Sequence, residues 1–181
     1  MRIDTTKNWK LILVAASLIV FIHCATPPRF EQQIRDKERR RWQLLLAHTK
    51  ARNLSIKAIK LITEIESYLG TPYAARGTSR QGMDCSGLVV TVFKKALDVD
   101  LPRSSELIYL EGKEVRPRDL KLGDLVFFRI KEGRGVSHVG IYLIGTHFVH
   151  ASSKRGVIIS DLRDRYYLKR FGGARRIVEI R

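Results

Sequence analysis

Gly123-Asp124-Leu125-Val126-Phe127-Phe128-Arg129 is the stretch where the hydrophobic period of this chain changes. Residues 118–124 read as a turn, and Leu125 to Arg129 as a buried strand. Downstream, Val136 to Leu143, Thr146 to Ala151, Gly156 to Ser160 and Ala174 to Ile180 read as four more strands. Short connections containing Gly145 and Gly156 point to an antiparallel meander. Upstream the period is helical. Leu54, Ala58, Leu61, Ile62, Ile65 and Leu69 fall on one helix face, and Gly70 and Pro72 end it. A second helix runs from Cys85 to about Leu97, and a short third one from residues 101–105 to Leu110. Helices first and strands after predicts an α+β fold, with helices packed on an antiparallel sheet of about five strands.

The second helix begins inside Met83-Asp84-Cys85-Ser86-Gly87-Leu88-Val89, which sets Cys85 at a helix N-terminus. The positive end of the helix dipole and the free N–H groups there favour a thiolate. A small buried cysteine without chemistry is the alternative. A catalytic thiol needs a base, and the base needs an orienting group. His138 and His150 lie on consecutive strands. If residues 143–145 form a three-residue loop with Gly145 left-handed, opposed residues sum to 288. His138 then faces His150 across the hairpin, with Cβ atoms about 5 Å apart. A two-residue loop would shift the sum to 289 and part the pair. His147 has the opposite parity and is expected to be exposed or on the other face. Zinc held by Cys85, His138 and His150 is the rival reading. It lacks the usual ligand spacings and a fourth ligand, so no metal and no other cofactor is expected.

The chain has 181 residues, a formal net charge of +16 and a pI of about 10.3. Such a surface attracts polyanions. Residues 1–23 read as an export signal: Arg2, Lys7 and Lys10 precede a short apolar run from Leu11 to Ile22. Cys24 closes that run, before Ala25-Thr26-Pro27-Pro28, in the manner of a bacterial lipobox, with His23 where a small residue is usual. Lipidation of Cys24 would leave Cys85 as the only free thiol of an exported protein, which marks it as reactive. Export also argues against nucleic acid as the partner. Residues 24–53 read as a tether and a basic helix, with eight basic residues against three acidic ones over 29–52. That helix is expected either to touch anionic lipid or wall polymer, or to act as a solvated spacer. The catalytic domain is expected to span 54–181.

Six blocks occur in the order and approximate spacing of a known family. They are Gly70-Thr71-Pro72-Tyr73, Asp84-Cys85-Ser86-Gly87-Leu88-Val89, Leu101-Pro102-Arg103-Ser104, Gly123-Asp124-Leu125-Val126-Phe127-Phe128, His138-Val139-Gly140-Ile141-Tyr142 and Phe148-Val149-His150-Ala151. Over residues 54–178 the chain resembles the NlpC/P60 cysteine peptidases, most closely the small lipoproteins that cut peptidoglycan stem peptides. The resemblance implies a papain-like α+β fold, with Cys85 as nucleophile, His138 as base and His150 as third polar residue. It implies that Tyr73 lies in the substrate cleft near the oxyanion, and that Asp84 and Ser86 contact the free amino end of a stem peptide. The bond it implies joins the side-chain carboxyl of D-glutamate to a diamino acid. Ala74-Ala75-Arg76-Gly77 departs from the family, which often has an aromatic residue and a Gly pair there. This leaves substrate preference open at Arg76. An amidase or acyltransferase with the same triad, or an inactive wall-binding lipoprotein, are the competing readings. The expected location is the cell envelope, on a membrane facing the periplasm or exterior, and the outer membrane where the bacterium has one.

Overall fold

The computed structural model describes residues 29–49, 54–130 and 135–180. The expected export signal over residues 1–23 and the expected lipidation site Cys24 lie outside the described residues. Among the described residues, no helix is long and apolar enough to cross a membrane.

Helix α1 covers Arg29–Thr49 and α2 covers Ile56–Tyr68. The Ser55 hydroxyl caps α2 by accepting the N–H of Ala58 at 3.2 Å, and Ala58, Leu61, Ile62, Ile65 and Tyr68 form its buried face. That is the stripe the spacing predicts. Helix α3 covers Cys85–Leu97, α4 Ser105–Ile108 and α5 Arg165–Leu168. Leu88, Val89, Val92 and Phe93 of α3 are fully buried against α2 and the sheet. Each such side chain stabilises the fold by about 1.5–3 kcal/mol.

Strands β1 (Thr78–Ser79) and β2 (Gly82–Met83) form a small ribbon just before Cys85. The main sheet contains β3 (Lys113–Glu114), β4 (Leu125–Phe128), β5 (His138–Tyr142), β6 (His147–Ser152), β7 (Gly156–Asp161) and β8 (Phe171–Arg176). Its order is β3-β8-β4-β5-β6-β7, antiparallel throughout, so β4 to β7 form the expected meander. The sheet has six strands where about five were expected, because β3 is too short to carry a period. The last strand also starts at Phe171 rather than Ala174 and ends before Ile177. Gly172 and Gly173 hide its beginning, since glycine is a poor strand former. A Cβ on Gly173 would lie 2.8 Å from the Tyr109 hydroxyl, which explains the glycine.

The sheet has two apolar faces. Leu125, Phe127, Val139, Ile141, Val149, Ala151, Val157 and Ile159 pack with α2 and α3. Val126, Phe128, Tyr142, Phe148, Ala174 and Tyr167 make a smaller core on the other side.

Helix α1 packs on the sheet. Trp42 and Glu38 are buried, at 2% and 4% exposure, so the folded part begins well before Leu54. A run of charges read either as a contact for anionic lipid or wall polymer or as a solvated spacer therefore includes a buried carboxylate.

Candidate active site

The β5–β6 connection decides how the two histidines meet. The N–H of His147 donates to the carbonyl of Ile144 at 3.0 Å, closing a turn over Gly145 and Thr146, and Gly145 is left-handed at φ 66°. The N–H of Leu143 then donates to the carbonyl of His147 at 2.9 Å. Ile144 is therefore an extra residue on one side, a bulge beside a two-residue turn. Ile141 pairs with Val149 and Tyr142 with Phe148, a sum of 290 instead of the expected 288. The shift is even, so both histidines still share a face. They are diagonal rather than opposed, a spacing that long side chains bridge. His138 Nε2 and His150 Nδ1 are 2.8 Å apart, and the rings meet edge to face at 85°.

Gly140 permits this. The same register sets it across from His150, and a Cβ on it would meet Phe148 Cδ2 and the Val149 carbonyl at 2.7 Å. His150 Nε2 lies 3.0 Å from both the Ser160 hydroxyl and the Tyr167 hydroxyl. Neither partner was read from the sequence. A serine inside the apolar strand Val157-Ile158-Ile159-Ser160 was the available signal for one; Tyr167, on a short helix far along the chain, left none. His147 is half-buried at the start of β6 and lies away from the pair.

Cys85, His138 and His150 line one cleft of about 660 Å³, together with Tyr73, Asp84, Ser86 and Arg103. Cys85 opens α3 as expected, but its thiol is not held as thiolate. Burial, and after it the Asp84 charge, push it up, and together they outweigh the N–H groups of Val139, Ser86 and Cys85 itself. His138 is 9% exposed, and burial pushes it down to about 4 against the pull of the Asp84 charge. His150 is pushed down too, by burial and then by His138. At neutral pH the resting site therefore holds a thiol and neutral imidazoles.

This arrangement has a consequence for stability. His138 titrates at 6.5 when unfolded and at about 4 when folded. Between these values the unfolded chain binds more protons, so stability is fully present above pH 6.5 and is lost as the pH falls towards 4. The difference corresponds to about 3 kcal/mol. Thermal melts from pH 7 to 4 should show Tm falling steeply in this window. His138→Gln should flatten that slope, and an unchanged slope would contradict the assignment.

Asp84 caps α3 by accepting the Gly87 N–H at 2.7 Å, and it also accepts the Arg76 N–H at 2.8 Å and the Ser86 hydroxyl at 3.2 Å. Arg103 completes the set at 2.8 Å and also binds the Gly77 carbonyl and the Ser86 hydroxyl. Burial pushes Asp84 up, but Arg103 and the two backbone N–H groups hold it below the usual carboxylate range. A Cβ on Gly87 would stand 2.1 Å from the Gly77 carbonyl oxygen, so this loop closes only over glycine. Tyr73 is 39% exposed in the cleft, with its hydroxyl raised by burial and by the charges of Cys85 and Asp84. Arg76 is exposed and left-handed at φ 63°; its backbone serves Asp84, and its side chain is not part of the cleft wall. Among the described residues, no group of three or more His, Cys, Asp or Glu side chains is placed to hold a metal ion.

The NlpC/P60 family model matches residues 70–176. A gamma-DL-glutamyl hydrolase of Bacillus subtilis is 41% identical over 119 residues, 65% of this chain and 29% of its own length. A murein DD-endopeptidase and LD-carboxypeptidase, MepS, of Escherichia coli is 39% identical over 127 residues, 70% of this chain and 66% of its own. Among solved structures, an NlpC/P60 protein from Bacillus cereus superposes with a TM-score of 0.62 at 35% identity, covering 67% of this chain and 40% of the other. A thiol at a helix start, a strand-borne histidine pair and a matching model over more than half its length place the chain in one group: it belongs to the NlpC/P60 family of peptidoglycan hydrolases and endopeptidases.

Proposed function

We propose that this chain is a cysteine endopeptidase that cuts the bond between the side-chain carboxyl of D-glutamate and the diamino acid of peptidoglycan stem peptides. The observation that carries the reading is the 2.8 Å contact of His138 Nε2 with His150 Nδ1 in the cleft that contains Cys85. With Nε2 engaged, Nδ1 is the nitrogen of His138 left to take the thiol proton. Nε2–H then donates to His150 Nδ1, and His150 Nε2–H donates to the Ser160 or Tyr167 hydroxyl. One self-consistent tautomer chain results.

Because thiol and imidazole are both neutral at rest, the proton moves to His138 as the sulfur attacks the scissile carbonyl. Backbone N–H groups at the start of α3, with the Tyr73 hydroxyl, stabilise the oxyanion. His138 next protonates the leaving amine, and the C–N bond breaks to leave a thioester on Cys85. Water, losing its proton to His138, attacks the thioester and frees the carboxylate and the thiol.

The gamma-DL-glutamyl name of the Bacillus subtilis relative supports this bond. The Escherichia coli relative is named a DD-endopeptidase and LD-carboxypeptidase, which points to a different bond. Mass spectrometry of products from purified peptidoglycan decides between them. The expected fragments end in D-glutamate with a free side-chain carboxyl, paired with a diamino acid bearing a new free amine. Fragments that all end in D-alanine would overturn the bond assignment. Acyl transfer to added lipid without hydrolysis would overturn the reaction.

A further inference from the structure

β7 is the edge strand of the sheet, and its outward backbone groups are all engaged at two residues. The Gly70 N–H donates to the Val157 carbonyl at 2.8 Å, and the Val157 N–H donates to the Thr71 carbonyl at 2.8 Å. At Ile159 the partners are side chains of α1. The Ile159 N–H donates to Glu38 Oε2 at 2.8 Å, and Arg41 Nη1 donates to the Ile159 carbonyl at 2.7 Å. Glu38 and Arg41, one helical turn apart, thus imitate the backbone of a neighbouring strand. The residue after Ile159 is Ser160, which is buried and whose hydroxyl lies 3.0 Å from His150 Nε2.

We propose that α1 is a positioning element for the histidine pair, and that Glu38 is the positioning residue: it pins Ile159 and so fixes where Ser160 meets His150. Covering the edge does not by itself call for a carboxylate. A buried charge is costly, and an apolar side chain of similar volume would shield the strand as well or better. What an apolar residue cannot do is accept the Ile159 N–H. Glu38 holds the peptide unit before Ile159 and Arg41 the unit that joins Ile159 to Ser160, so together they fix both dihedrals of Ile159 and with them the start of Ser160. Misplacement by about 1 Å at a reacting group costs roughly a hundredfold in rate. Helix α1 precedes the segment matched by the family model, which starts at residue 70, so the match does not supply this role.

The inference rests on the proposed catalytic reading of His138 and His150, and its test separates the two. Full-length Glu38→Ala and Glu38→Gln would be compared with wild type and Cys85→Ala, using soluble stem-peptide fragments and ring ¹⁵N NMR of His150. Glu38→Ala should lower kcat by about tenfold or more with KM little changed. Its His150 ring signals should move from one tautomer towards an average of two. Glu38→Gln, whose amide oxygen accepts the same N–H, should stay within about threefold of wild type. Wild-type kcat and unchanged His150 signals in Glu38→Ala would overturn the proposal. So would a fall in kcat without a change in those signals, or a Gln variant as poor as Ala. If Glu38→Ala does not fold, Arg41→Met removes the other half of the pair and is judged by the same readouts. Full activity in Cys85→Ala would instead sink the catalytic reading, while the His150 signals would still judge α1.

Discussion

Cys85→Ala is expected to stop release of cleaved stem peptides, with a fall of about 10⁴-fold or more. The size follows from the chemistry. Removing the sulfur leaves water as the only nucleophile, and that water must attack the amide directly, a far less reactive carbonyl than the thioester it otherwise meets. The fold should survive. Cys85 is only partly buried as a residue and opens a helix that Asp84 caps and Leu88, Val89, Val92 and Phe93 anchor. The check is paired: muropeptide release from purified peptidoglycan, and a thermal melt within a few degrees of wild type. Cleavage near the wild-type rate would end the Cys85 mechanism. A collapsed melt would move Cys85 from chemistry to structure.

The largest expected effect on stability lies elsewhere, at Asp124. Its carboxylate is 1% exposed and is gripped by Arg176 in a two-point bond, Nε to Oδ1 and Nη2 to Oδ2, each at 2.7 Å. The Lys121 N–H adds a third contact at 2.8 Å, and Arg176 Nη2 also reaches the Asp119 carbonyl at 3.0 Å. The pair ties the turn before β4 to the end of β8. Arg176→Leu leaves a buried carboxylate without its cation, a change that costs about 3–5 kcal/mol. In a chain of this size that lowers Tm by roughly 10 °C. The double variant Asp124→Leu/Arg176→Leu removes both charges and should recover much of the loss, since apolar replacement of a whole buried pair is often neutral or better. A single variant that melts within about 2 °C of wild type would show that the pair is solvated enough to matter little.

Asp124 also shows where the sequence was informative. Gly123-Asp124 was legible as part of a turn and as one block of a family resemblance, but its job is clamping β8. Its partner is 52 residues away, at a distance no local pattern reports. The α+β class, the extents of α2 and α3, and the meander were legible because burial on one face imposes a period on the residues. Cys85 at a helix start was legible for the same reason.

The state of the Cys85 thiol was not. A helix terminus lowers a thiol, burial raises it, and only the packed structure shows that burial prevails. The shared face of His138 and His150 was legible from strand parity. Their diagonal offset was not, because the bulge at Ile144 depends on two backbone hydrogen bonds by which Ile144 and Leu143 both engage His147. The docking of α1 was hidden by composition. Glu38 and Arg41 sit in a run of charges that patterns assign to solvent, and their partners are the N–H and C=O of Ile159, which carry no sequence signature at all.

The Gly145-Thr146 turn with its bulge acts as a counting device. Each residue added or removed there rotates the rest of β6 by one step of the pleat. Changes in steps of two keep the imidazoles on one side of the sheet; a change of one sends His150 into the packing against α3 and brings an aliphatic neighbour to its place. Length variation in this hairpin is therefore quantised. A loop that looks free to drift at the surface is constrained in whether its length is odd or even, and the constraint is set by a contact buried several residues away.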